Sequence, residues 1–376
     1  MNPEQFHPPV RILGAVVLTV AAVYFYFLIF TQFALLQLIQ AEAGKSTRLL
    51  QLAILAAGVA GVGGSVLAAW RYTAERGQAQ LAGALALCAL AAGISLLGRH
   101  PLRLPVVAVL SGLGTGVATV TLAAMLRRAV GRERLGIVVG LGTGLAYGAA
   151  NLPPVFAADA SFQAVLAMLA ACAGIVTGRL FELRGPGEKP SGADYTPRGA
   201  ALWVLVLLAL VGLDSMAFYV IQHAPNLKES TWTGNPRLLA NAGVHLLAAV
   251  LTGAALDRRW IGRTTFLAAG LLIAACALIN GRYGLVSVAG LLYAAAVSAY
   301  STVLVFYPAR GARPGLAALV FAVAGWGGSA LGIGLAQGRS QMPGWLLAGT
   351  GLIIAGALWT RHRMVVDEKQ SGRPPL

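Results

Sequence analysis

Residues 182–199 read ELRGPGEKPSGADYTPRG, a charged, Pro- and Gly-rich stretch in a chain that is 57% hydrophobic and only 11% charged. An average soluble domain carries about 25% charged residues. On both sides of the stretch the sequence divides into apolar runs of roughly 20 residues, the length that crosses a bilayer core as a helix. Six runs precede it, at 12–39, 49–70, 81–98, 105–126, 136–156 and 162–181; six follow, at 200–224, 238–256, 265–280, 285–307, 316–337 and 345–360. No other connection is as long, so 182–199 reads as a linker between two equal sets. The expected fold class is all-α: a polytopic membrane protein with twelve transmembrane helices in two six-helix halves, residues 1–181 and 200–376.

The formal net charge of +15 does not indicate nucleic acid, because the basic residues are dealt singly between apolar runs rather than gathered on one soluble face. They fit loop charges that orient helices in a membrane. With the N-terminus cytoplasmic, Lys and Arg on the cytoplasmic side outnumber those outside by 20 to 8, which places both termini and the linker inside. Arg exceeds Lys by 24 to 4, a usage associated with GC-rich bacterial genomes, so the expected location is a bacterial inner membrane. Cys88, Cys172 and Cys276 each fall within a different apolar run without CxxC spacing, and are expected as buried thiols. The first run is about twice the length of a signal-peptide core, so AEA at 41–43 is not expected to be a cleavage site.

A local motif adds to the pattern of runs. GAALDRRWIGR at 253–263 sets Gly253, Asp257, Arg258, Gly262 and Arg263 at the connection between the second and third runs of the second set. The matching connection of the first set, GGSVLAAWRYTAERGQ at 63–78, keeps Gly64, Arg76 and Gly77 but has no Asp. Two sixes joined by a cytoplasmic linker, with an Asp-Arg and Gly-Arg turn at that place, resemble the major facilitator superfamily over nearly the whole chain. In the second half two more residues than usual separate Asp-Arg from Gly-Arg. The resemblance implies a secondary transporter that rocks about a midplane site. It also implies that helices 1, 4, 7 and 10 line a central cavity, that 3, 6, 9 and 12 pack outside, and that the remaining helices lie between as gates.

Polar residues are costly against lipid and should avoid the outer helices. The third, sixth, ninth and twelfth runs are indeed nearly bare. The fourth run carries Ser111, Thr115 and Thr119, and the fifth Thr143, Tyr147 and Asn151, each at i, i+4, i+8 on one helical face. In the eighth, Asn241, His245 and Thr252 fall close together around the helix. The tenth carries Tyr293, Tyr300 and Tyr307, seven apart. Each stripe also has a structural reading, back-bonding to its own helix or plain packing.

Asp214 is the only acidic residue deep within any run, and no Lys or Arg accompanies it there. A carboxylate at the centre of a membrane helix costs about 2.5–3.5 kcal/mol on insertion scales, so it should face protein, water or cargo. It lies about 15 Å below the outer end of its helix, and His245, on the returning helix, about 11 Å below the same side at 1.5 Å per residue. The two are therefore expected to be able to meet, whereas His223 points away at the outer mouth. YFYFLIFTQ at 24–32 and DSMAFYVIQ at 214–222 each open with a polar residue and close with Gln, so Tyr24 is expected across the cavity from Asp214, with Gln32, Gln222 and Tyr219 beside them.

A carboxylate and an imidazole can exchange a proton as access switches sides, which is the chemistry of proton coupling; the alternative is a clamp that only joins two helices. Small residues at Gly63 and Gly64, in GLGTG at 112–116 and at 140–144, and in GWGGSALGIG at 325–334 let helices approach and slide. One carboxylate without a deep cation suits a small neutral or cationic molecule better than a phosphate. The arginine common in the fourth helix of proton-coupled drug exporters of the resembled family has no deep match; Arg127 and Arg128 sit at its inner end. Two other readings remain: a non-transporting subunit or assembly factor of a membrane complex, and a transition-metal carrier using Asp214, His245 and Met216. No cofactor is expected, and the absence of GxSxG, HExxH or a paired acid from the runs argues against an enzyme. The expected partners are a small-molecule substrate, protons and membrane lipid.

Overall fold

The computed structural model describes residues 9–43, 47–98, 100, 102–181, 193–281 and 285–370, and no strand occurs among them. Most of the 182–199 linker lies outside these residues. Twelve helical rods correspond to the twelve predicted runs. The first, α1, comprises Val10–Tyr26, a π-helical stretch Phe27–Ala34 and Leu35–Ala43. It is followed by α2 (Thr47–Arg71), α3 (Gly77–Ser95), α4 (Arg103–Val130), α5 (Leu135–Ala150) and α6 (Ala160–Gly178). After the linker come α7 (Pro197–His223), α8 (Asn235–Asp257), α9 (Ile261–Gly281) and α10 (Val286–Gly311). The rod α11 runs through Pro314–Leu319, a second π-helical stretch Val320–Gly327 and Gly328–Ala336, and α12 is Gly344–Gln370.

Among the described residues, ten of these rods are long and apolar enough to cross a membrane. The helix α5 is shorter, because the predicted run 136–156 is interrupted: Asn151 ends it, Leu152 is extended ahead of a proline, and Pro153–Phe156 forms a separate turn. A residue before Pro is pushed out of helical geometry, which accounts for the break. Local chemistry sets other ends. Asp159 caps α6 by accepting from the N–H groups of Ser161 (2.8 Å) and Phe162 (3.0 Å), and Thr196 caps α7 one residue before Pro197.

Burial sorts the rods. In α1, α4, α7 and α10 between 61% and 78% of the most apolar stretch is buried, against 28–44% in α2, α3, α6, α8, α9 and α11. The first group therefore surrounds the centre. Glycine makes the closest helix contacts possible: a Cβ on Gly136 of α5 would collide with the carbonyl of Gly253 on α8, and one on Gly332 of α11 with that of Gly212 on α7. Cys88 and Cys276 are buried as expected, but Cys172 is exposed. It lies on the outward face of the peripheral α6, where a thiol is apolar enough to face hydrocarbon.

At the linker end the turn Ala193–Tyr195 is pinned to three helices. The Arg361 guanidinium donates to both Asp194 oxygens (2.6 and 2.9 Å), the Trp203 indole donates to Oδ1 (3.1 Å), and the Tyr307 hydroxyl donates to the Asp194 carbonyl (2.8 Å). Burial raises the Asp194 pKa, but the Arg361 guanidinium outweighs it and holds the carboxyl below its ordinary range.

Candidate functional site

A cavity lies at the centre of the rods, lined by α1, α2, α4 and α5 from before the linker and by α7, α8, α10 and α11 from after it. Its walls reach Ile39, Ala53, Phe156, Trp232 and Ile333, all near helix ends far from the linker. Toward the linker it is closed. There the Arg127 guanidinium donates to the Arg310 carbonyl (3.0 Å), and the close α5–α8 contact at Gly136 and Gly253 seals the seam.

Asp214 stands on the cavity wall, partly accessible, at the middle of α7. Its partners come from α10. Tyr293 and Tyr300 are seven residues apart, two helical turns, and so share a face; the Tyr293 hydroxyl donates to Oδ1 and the Tyr300 hydroxyl to Oδ2. The expected Asp214–His245 pair does not form. His245 Nδ1 pairs with the Ser298 hydroxyl (2.7 Å), and its ring stacks on Tyr147 with centroids 5.1 Å apart. Depth along two helices was legible, but α10 stands between them, offering its tyrosines to Asp214 and Ser298 to His245.

Other expected residues divide. Tyr24 and Gln32 of α1, Thr115 and Thr119 of α4, and Tyr147 and Asn151 of α5 all line the cavity. Several are already satisfied: Tyr147 pairs with Ser301 (2.9 Å), Asn151 donates to the Tyr147 carbonyl (2.9 Å), and Thr119 donates to that of Thr115 (2.9 Å). The hydroxyls of Tyr24 and Thr115 are buried without a hydrogen-bond partner among the described residues.

Asn241, Tyr219 and Gln222 are not among the lining residues. Asn241 donates to the Thr231 carbonyl (3.2 Å), and Tyr219 stacks on His223 with centroids 4.0 Å apart. Ser111, Thr143 and Tyr307 also turn elsewhere, to Thr31, Thr302 and Asp194. Met216 is fully buried off the cavity, and no group of three His, Cys, Asp or Glu residues able to hold a metal occurs among the described residues, so the three ligands suggested for a metal carrier are not assembled.

Sequence reasoning missed the aromatic layer above Asp214 on the side away from the linker. Phe33 meets Phe156 (5.4 Å) and Phe218 (5.6 Å), Phe218 meets Trp232 (5.4 Å), and Trp232 meets Tyr293 (6.2 Å). Trp232 comes from the short helix Pro225–Trp232, outside every predicted run. A second contact joins the two π-helical stretches, where Phe27 packs edge-on against Trp326 (6.2 Å).

The turn motif also has a defined geometry. The Asp257 carboxylate accepts from the N–H groups of Gly136 (2.6 Å) and Ile137 (2.8 Å), capping the start of α5 from the end of α8. Arg258 is exposed, Gly262 packs under Arg361, and Arg263 lies 5.9 Å over the Trp260 ring. The matching connection of the first set has no Asp.

The arrangement has counterparts among solved structures. The chain superposes on the human organic anion transporter MFSD10 (TETRAN) with a TM-score of 0.61 at 14% identity, covering 94% of this chain and 100% of that one. With the major facilitator superfamily proton:xylose symporter XylE, bound to 6-bromo-6-deoxy-D-glucose, the TM-score is 0.66 at 11% identity, covering 94% and 96%. The chain has the major facilitator fold. No protein-family model and no curated protein matches the sequence. Within the major facilitator fold, the four deeply buried rods are those expected around the central cavity, and Asp214 belongs to one of them.

Proposed function

We propose that the chain is a secondary transporter that moves a small neutral or cationic molecule by alternating access, with Asp214 as the proton-coupling carboxylate. The halves 1–181 and 200–376 rock about the central cavity, joined by a cytoplasmic linker, in a bacterial inner membrane. One observation carries this reading: the only carboxylate lining the central cavity among the described residues is reachable from it, and its two oxygens are held by hydroxyl donors rather than by a cation. Such a group can hold a proton in one state and release it in another without breaking an ion pair. The tyrosines replace His245 as its partners, and His245 becomes a wall residue of the same cavity. The test is proton flux in proteoliposomes containing a trapped pH dye, challenged with a panel of neutral and cationic organic molecules. The wild type should answer at least one compound, and Asp214→Asn should lose the response while keeping its melting temperature. Undiminished flux in Asp214→Asn would remove the coupling role.

A further inference from the structure

Eleven of the 36 residues lining the central cavity are Phe, Tyr or Trp, although aromatic residues make up 8% of the chain. Four of them, Phe218, Trp232, Tyr293 and Tyr300, form a contact chain that ends on the carboxylate. Phe218 stands one turn above Asp214 on α7, Trp232 packs 5.4 Å from Phe218 and 6.2 Å from Tyr293, and the Tyr293 hydroxyl holds the carboxylate itself. Asp214 is thus set at the edge of an aromatic enclosure. Among the described residues the lining contains no Lys or Arg and no second acid.

We infer that the cavity binds a lipophilic organic monocation, a quaternary ammonium, phosphonium or protonated tertiary amine carrying apolar groups. This deepens the transport reading above and rests on it for the site's purpose, though not for the binding chemistry. Charge and surface both select such a ligand. A cation next to aromatic faces is drawn by their quadrupoles, and the effect grows when water is excluded. One carboxylate balances one charge; a dication would bury an unpaired charge, and an anion would meet Asp214 with no compensating guanidinium. A polyhydroxylated solute finds few free groups beyond the unpaired hydroxyls of Tyr24 and Thr115. Tyr147, Asn151 and Thr119 spend hydrogen-bonding groups on protein partners, and the hydroxyls of Tyr293 and Tyr300 are committed to Asp214. The remaining wall, including Phe27, Leu28, Ile54 and Trp326, gains by covering apolar surface.

The experiment is equilibrium binding of tritiated tetraphenylphosphonium to the purified full-length chain, with methyltriphenylphosphonium, triphenylphosphine oxide and triphenylacetate as cationic, neutral and anionic competitors of similar shape. The cation should displace the label at concentrations at least tenfold below the neutral oxide, and the carboxylate should not displace it. Asp214→Asn should weaken label binding about tenfold or more, Trp232→Ala several-fold, and Trp232→Phe less than Trp232→Ala. The competitor series uses only the wild type, so it decides the matter even where a variant does not fold. Equal displacement by cation and neutral oxide, or unchanged affinity in folded Asp214→Asn, overturns the inference. Saturable Asp214-dependent binding without proton flux would leave it standing and remove the transport reading. Flux driven by a neutral compound, with no cation binding, would overturn it and leave transport intact.

Discussion

Asp214 accepts a hydroxyl from each of two tyrosines on one face of α10, so neither oxygen waits alone in the low-dielectric centre of the fold. A hydrogen bond to a charged group contributes roughly 1.5–3 kcal/mol. Tyr300→Phe should therefore lower substrate-driven proton flux about tenfold or more while the protein stays folded; flux equal to wild type would show that the hydroxyl does not support the carboxylate's task. His245 gives the opposite prediction. Its ring is engaged by Ser298 and Tyr147 and makes no hydrogen bond or ion pair to Asp214, so His245→Gln should leave the pH profile of flux in place, and a displaced profile would put the imidazole back into the coupling chemistry. The acid itself was legible in the sequence because a charge deep in an apolar run has few reasons to be there. Its partners were half legible: the seven-residue tyrosine spacing was visible, but which neighbouring helix it faced was not. The aromatic enclosure was invisible, since Phe and Trp suit lipid-facing, core and cavity positions alike.

At the scale of elements, the end of α8 holds the start of α5 through Asp257, which receives two N–H groups that would otherwise lack helical partners. Asp257→Ala should destabilise the linker-side closure by about 0.5–2 kcal/mol, the usual worth of an N-cap. Spin labels placed across that seam should then show a larger open population, and an unchanged distance distribution would deny the latch. The Asp194–Arg361 pair makes a separate pH prediction. Because its carboxyl pKa is depressed on folding, its stabilisation is complete above the ordinary carboxylate range and is lost as pH falls through the depressed value. Asp194→Asn should melt below the wild type at neutral pH, with the gap closing on acidification; a constant gap would contradict the assignment. The twelve runs were readable because apolar length is a direct consequence of bilayer thickness. The π-helical stretches of α1 and α11 were not, since widening a turn changes neither composition nor apolar length.

For the whole molecule, two sets of six rods enclose a cavity that is closed toward the linker and reaches the opposite helix ends past a layer of aromatic rings. Twelve apolar runs and one polar stretch of 18 residues among them were legible from composition alone, and the burial of α1, α4, α7 and α10 matches the set expected around the cavity. Which way the cavity is closed depends on contacts distant in sequence, such as Asp257 with Gly136, and no local pattern announces them. Alternating access requires that the position of Asp214 be reached from both faces in turn. The decisive measurement is modification of Asp214→Cys, with Cys88, Cys172 and Cys276 replaced, by a membrane-impermeant methanethiosulfonate applied separately to each face of sealed vesicles. Alternating access gives reaction from both faces, faster from the face opposite the linker; reaction from one face only, or from neither, would contradict it.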